Sequence, residues 1–71
     1  MEYVIVNYPY IRDVYIDGVQ NGQTNDVLYI DAGTHTFDLG CPVDYTPVEQ
    51  DVTVYGTSVL TPMEITFSSE A

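Results

Sequence analysis

Apolar residues fall at alternate positions in stretch after stretch, and this period of two constrains the fold more than any other feature of the chain. Val14 and Ile16 alternate with Asp13, Tyr15 and Asp17. Leu28 with Ile30, His35 with Phe37 and Leu39, Val52 with Val54, and Met63 with Ile65 and Phe67 repeat the pattern. No helical periodicity extends beyond one turn. Strands are therefore expected over Tyr3 to Tyr8, Asp13 to Asp17, around Leu28 and Ile30, Thr34 to Leu39, Val48 to Tyr55, and up to Phe67. Gly18, Asn21-Gly22, Ala32-Gly33, Gly40 to Pro47 and Gly56-Thr57 separate them as turns and loops, Asn21-Gly22 because both residues tolerate positive φ. Pro62 has no amide hydrogen for a ladder, so the last strand is an edge there or begins after it. About six or seven short strands at this spacing predict an all-β fold, a small antiparallel β-sandwich.

With 71 residues, the chain has room for one domain, residues 1–71. Cys41 is the only cysteine, so no internal disulfide forms. Lysine is absent and Arg12 stands alone against eleven carboxylates, a formal charge of −10. Nucleic acids and anionic membranes are bound through clustered cations, so neither is an expected partner. No apolar run approaches the ~20 residues that cross a bilayer as a helix, and no membrane insertion is expected. A hydrophobic fraction of 45% nevertheless separates the chain from acidic disordered tails. The start, Met1-Glu2-Tyr3-Val4-Ile5, lacks the basic region and apolar core of a secretory signal. Two readings stay open: a complete cytosolic protein, or a domain cut from a larger exported one. Ser68 to Ala71 reads as a frayed polar tail.

Catalytic chemistry finds little to work with. A nucleophile needs a neighbouring base, and the one histidine, His35, lies in a strand. Its expected place is against the core, with one ring nitrogen bonded to a backbone carbonyl. Cys41 is expected to be a buried or half-buried loop thiol. Zinc would require several His and Cys ligands. Asp13-x-Tyr15-x-Asp17-Gly18 has the glycine of a calcium loop, but Asp13 and Asp17 alternate along a strand and present one face instead of wrapping an ion. No catalytic, cofactor or metal residues are assigned, and no enzyme activity is expected.

The tyrosines are more informative. Seven exceed what so small a core holds, and Tyr15, Tyr29 and Tyr55 fall on the polar phase of their strands. Exposed tyrosines anchor protein interfaces or stack on sugar rings. The uncharged run from Tyr3 to Tyr8 is strongly β-prone: either it is paired inside the sandwich, or as an unpaired edge it would recruit another strand. The expected interaction surface comprises Tyr3, Ile5, Tyr15, Tyr29 and Tyr55. Its expected use is to dock a protein partner or a second copy, with the first strand favoured as the docking edge. The alternative is a carbohydrate or cell-surface polymer stacked on Tyr15 and Tyr29.

Three stretches carry a family resemblance. Val14-Tyr15-Ile16-Asp17-Gly18, then Gly22-Gln23-Thr24, then Ala32-Gly33-Thr34-His35-Thr36-Phe37-Asp38-Leu39 follow in the order of the PEGA domain motifs, and Tyr45-Thr46-Pro47 with Val52 and Val54 resembles the looser tail. The resemblance implies a prealbumin-like or immunoglobulin-like β module, a structural or adhesive part of larger proteins, often extracytoplasmic, with no catalytic residue set. Asn25 and Ala32 stand where that family usually has proline, and Asp44 where it has glycine. Each exchange falls in a turn. Within these motifs, Gly18 and Gly33 suit positive φ, and the Thr24 hydroxyl is expected to bond the backbone of its own loop.

Overall fold

The structure, a computed structural model, describes residues 1–70. Among them are nine strands and no helix: β1 (Glu2–Asn7), β2 (Asp13–Ile16), β3 (Val19–Gln23), β4 (Val27–Ile30), β5 (Gly33–Asp38), β6 (Tyr45–Thr46), β7 (Gln50–Val54), β8 (Met63–Thr66) and β9 (Ser68–Ser69). They form a three-stranded sheet in the order β4-β1-β8, a four-stranded sheet β3-β2-β5-β7, and a small pair β6-β9. The two larger sheets enclose the core, so the expected small β-sandwich is what forms. Every pairing is antiparallel except β1 with β8, which is parallel.

The period of two does the sorting. Val4, Val6, Leu28, Ile30 and Ile65 turn inward from one sheet, Val14, Ile16, Phe37 and Val54 from the other, and all are buried. Val52 and Met63 pack half-buried at the margin of the same cluster. Phe67, just beyond β8, and Leu39, just beyond β5, are buried with them. A side chain such as Phe37, with no exposed surface, contributes on the order of 1.5–3 kcal/mol by leaving water.

Several expectations are corrected. The first strand is not an edge: β1 pairs with β4 on one side (Tyr3↔Tyr29, Ile5↔Val27) and with β8 on the other (Ile5↔Glu64). Asn21-Gly22 does not make the tight turn. Asp17 (φ 54°) and Gly18 (φ 80°) make it, a two-residue link that sets Ile16 opposite Val19. Asn21 and Gly22 lie inside β3, where Gly22 takes φ 79° and the register to β2 slips, the mark of a bulge. The expected frayed tail is partly ordered as well, because Ser68 and Ser69 pair with Thr46 and Tyr45. The last strand begins after Pro62, at Met63.

Asn25 stands where the motif that the sequence resembles usually has proline. It has φ 62°, which a proline ring forbids, and its side chain binds Tyr8 twice. Oδ1 accepts from the Tyr8 amide at 3.1 Å and Nδ2 donates to the Tyr8 carbonyl at 2.8 Å. The Asn25 amide also reaches the Val6 carbonyl at 2.8 Å. The end of β1 is thereby fastened to the β3–β4 turn.

Two outcomes follow from this arrangement. Ile5→Pro removes an amide from a strand paired on both sides, so the variant is expected to lose its cooperative thermal transition; a thermal melt followed by circular dichroism decides it. Gly33 begins β5 at φ 131°, with open space where a Cβ would stand. Gly33→Val therefore meets backbone strain without a clash, and its urea midpoint should correspond to a loss of about 1–3 kcal/mol.

Candidate docking surface

Alternation on β1 and β4 leaves Tyr3, Ile5, Val27 and Tyr29 on the outer face of the three-stranded sheet. Tyr3 and Tyr29 are directly opposed, their rings edge to face with centroids 5.4 Å apart. Tyr29 is 57% exposed, and Tyr3, Ile5 and Val27 are half-buried. Glu64 stands opposite Ile5 on β8, while Asp26 and Asp31 flank the two ends of β4. The result is an apolar patch bordered by carboxylates.

The outer face of the four-stranded sheet differs in kind. Thr34 and Thr53 share a hydroxyl hydrogen bond of 2.8 Å, and the Thr36 hydroxyl donates to Asp51 at 2.7 Å. Tyr15 is half-buried on this face, where its ring crosses Gly40 so closely that a Cβ there would stand 2.6 Å from it. Tyr55 lies just past β7 and is 72% exposed. Of the five residues expected to form one surface, the fold joins Tyr3, Ile5 and Tyr29. Tyr15 and Tyr29 belong to different sheets and face opposite sides of the sandwich, so they form no shared stacking platform.

Two of the remaining tyrosines serve the interior. Tyr8 and Tyr45 are buried, and between them they receive the single arginine: the Arg12 guanidinium carbon lies 4.9 Å from the Tyr45 ring centre and 5.9 Å from that of Tyr8. One Arg12 terminal nitrogen donates to Asp44. The other reaches the carbonyls of Pro42 at 2.8 Å, Leu39 at 3.2 Å and Gly40 at 3.4 Å. The Tyr45 hydroxyl donates to the Gly40 carbonyl at 2.9 Å and accepts from the Leu39 amide at 3.2 Å. Arg12 is thus engaged inside the fold. Asp44, where the resembled motif has glycine, is the carboxylate that neutralises it. Above this cluster lies a shallow cleft of about 380 Å³ whose walls include Tyr10, Asp13 and Tyr15.

Thr24 is buried and does not bond its own loop as expected. Its hydroxyl accepts from the Arg12 amide at 2.9 Å and donates to the Tyr10 carbonyl at 2.7 Å, which fixes the segment that delivers Arg12. Cys41 is exposed, not buried, on a stretch whose flanking carbonyls, of Gly40 and Pro42, are both held by Arg12.

His35 packs edge to face against Phe37 and bonds a carbonyl as expected, Nε2 to Asp31 at 2.7 Å. Nδ1 lies 2.6 Å from Asp17 Oδ2, an unforeseen partner. A backbone carbonyl and a carboxylate both only accept, so the two bonds together require the doubly protonated ring. The bonds to Asp17 and Asp31 hold the imidazolium above its ordinary pKa of 6.5. Asp17 is held below its ordinary 3.8, by the Thr36 amide first (2.9 Å) and by His35 second.

A family model for the PEGA domain matches residues 2–68. The chain belongs to the PEGA domain family. No curated protein and no solved structure matches it. In this PEGA domain the glycine-led β5 motif carries His35, which couples the β2–β3 turn to the β4–β5 link.

The sign of the pH effect follows from the two shifts. Protonated His35 stabilises the fold fully below its unfolded pKa of about 6.5, and that contribution is lost as pH rises through the raised folded value. Ionised Asp17 contributes above about 3.8, and its share is lost as pH falls through the lowered folded value. The pair is intact between these limits. The melting temperature is expected to fall from pH 6 to pH 9, where the carboxylates no longer titrate. His35→Gln should melt lower at pH 6 and lose most of that slope.

Proposed function

We propose that this PEGA domain is a non-catalytic interaction module that docks a protein through the outer face of its three-stranded sheet. The observation that carries this reading is the contrast between the two outer faces: Tyr3, Ile5, Val27 and Tyr29 on one, a lattice of threonine and aspartate hydrogen bonds on the other. Aromatic anchors ringed by charge are the usual make-up of a protein interface. The partner is a protein surface with an apolar centre and a basic margin, because Asp26, Asp31 and Glu64 border the patch and the chain carries a formal charge of −10. The same charge disfavours a second copy of this chain as occupant. Strand addition at β1 is replaced in this reading, since both sides of β1 are paired. A non-catalytic role accords with His35, whose two ring nitrogens serve Asp17 and Asp31.

The test compares one substitution on each face. Tyr29→Glu places a charge at the centre of the patch, and Thr53→Glu places one on the opposite side. Proteins captured from the source cells by the unmodified domain and by Thr53→Glu should be lost, by about tenfold or more, with Tyr29→Glu. Capture should also weaken with added salt. Identical retention by all three folded forms would remove the face from the proposal.

A further inference from the structure

The first strand and the last strand of the two larger sheets are neighbours and run in the same direction. Val4, Ile5, Val6 and Asn7 of β1 stand opposite Met63, Glu64, Ile65 and Thr66 of β8. The ladder continues one step further, with the Phe67 amide donating to the Asn7 carbonyl at 3.1 Å. In a parallel pair the chain enters at one end of the ladder and leaves at the other. Tension between the two ends of the domain drags β1 one way and β8 the opposite way along a common axis. The ladder bonds are then loaded together, in shear. Antiparallel terminal strands would place both ends on one side and let the bonds break one after another.

We propose that this PEGA domain is a tension-bearing unit, with the β1–β8 ladder as its mechanical clamp. Other contacts reinforce the same line. Asn7 Nδ2 bonds Glu64 Oε1 at 3.1 Å and Thr66 Oγ1 at 3.4 Å, adding side-chain links across the ladder at its exit end. At the entry end the Tyr3 amide donates to the Thr57 hydroxyl at 2.7 Å, while the Thr57 amide and hydroxyl donate to Glu2 at 2.8 and 2.6 Å. On its other side β1 is held by β4 and by the Asn25 bonds to Tyr8, so β1 cannot slide without shearing two ladders. Beyond β8, Ser68 and Ser69 pair with β6, and the Glu70 amide donates to the Asp44 carbonyl at 2.8 Å, anchoring the exit strand. Glu64 borders the docking face as well, but the clamp rests on the backbone ladder and the bonds at its two ends, and the docking face on Tyr3, Ile5, Val27 and Tyr29.

Forced unfolding measures the barrier along the pulling direction, so two directions through one fold give the test. In a Cys41→Ser background, which removes the exposed native thiol, the full chain is tethered in one arrangement through its two ends. In the other it is tethered through its N-terminal end and a thiol at Thr61→Cys, which lies at the same end of the ladder as the start of β1 and so peels the strands apart. The end-to-end unfolding force is expected to be several-fold higher at the same loading rate. Asn7→Ala, with its folded state verified by thermal melting, should lower the end-to-end force and leave the peeling force unchanged, because Asn7 lies at the far end of the ladder. Equal forces in the two directions, or an end-to-end force indifferent to Asn7→Ala, would overturn the clamp.

Discussion

Everything in this sandwich depends on β1 being an interior strand. It is bound by β4 on one side and by β8 on the other, and its inward residues Val4 and Val6 have no exposed surface. A strand with both backbone edges paired has its polar groups satisfied without water, which is what permits it to cross the middle of a core this small. The consequences spread outward. The sheet built on β1 has only two outer strands, both short, and the side chains that point away from it have no further layer to cover them. The tyrosine-bearing face is thus the other side of the strand that organises the core.

Charge plays a second organising part through two half-buried cationic groups, whereas most of the eleven carboxylates are exposed. Arg12 gathers Asp44 and three loop carbonyls, and the His35 imidazolium joins Asp17 to Asp31. Each ties together segments that the sheets leave separate. Arg12 links the β1–β2 connection to the loop after β5, and His35 links the β2–β3 turn to the β4–β5 crossing between sheets. In a chain so acidic, repulsion between surface carboxylates opposes compaction. Placing both cationic side chains at crossings puts the attraction where the backbone ladders do not reach.

Much of this was legible in the alternation of side chains. Val14 with Ile16, Leu28 with Ile30 and Phe37 with Leu39 point inward as their phase requires, because a one-residue slip would expose the whole set. Pairing partners were not legible. The uncharged run at β1 reads equally well as an edge or an interior strand, and the choice depends on β8, more than fifty residues away in sequence. Asn21-Gly22 and Asp17-Gly18 both carry the chemistry of a tight turn. The fold uses the second for reversal and the first for a bulge, a matter of register, not composition. Of the candidate surface, Tyr3 and Tyr29 are joined by a cross-strand register that no local signal encodes, whereas Tyr15 shares their polar phase but sits on the other sheet. The Arg12–Asp44 pair was hidden for the same reason, the two residues being separated by 32 positions.

The way Arg12 grips its loop bears on how freely that loop can change over evolutionary time. Apart from Asp44, its hydrogen-bond acceptors there are main-chain carbonyls, of Leu39, Gly40 and Pro42, which every amino acid supplies alike. The guanidinium therefore reads the path of the backbone and is blind to the identity of Cys41 and Val43, whose side chains are exposed. Gly40 is the exception, since the Tyr15 ring occupies the space a side chain would need. Substitutions at 41 and 43 can accumulate at little cost, but an inserted or deleted residue would shift the carbonyls out of register with the fork. What the guanidinium constrains in this segment is its length, and at 41 and 43 not its side chains.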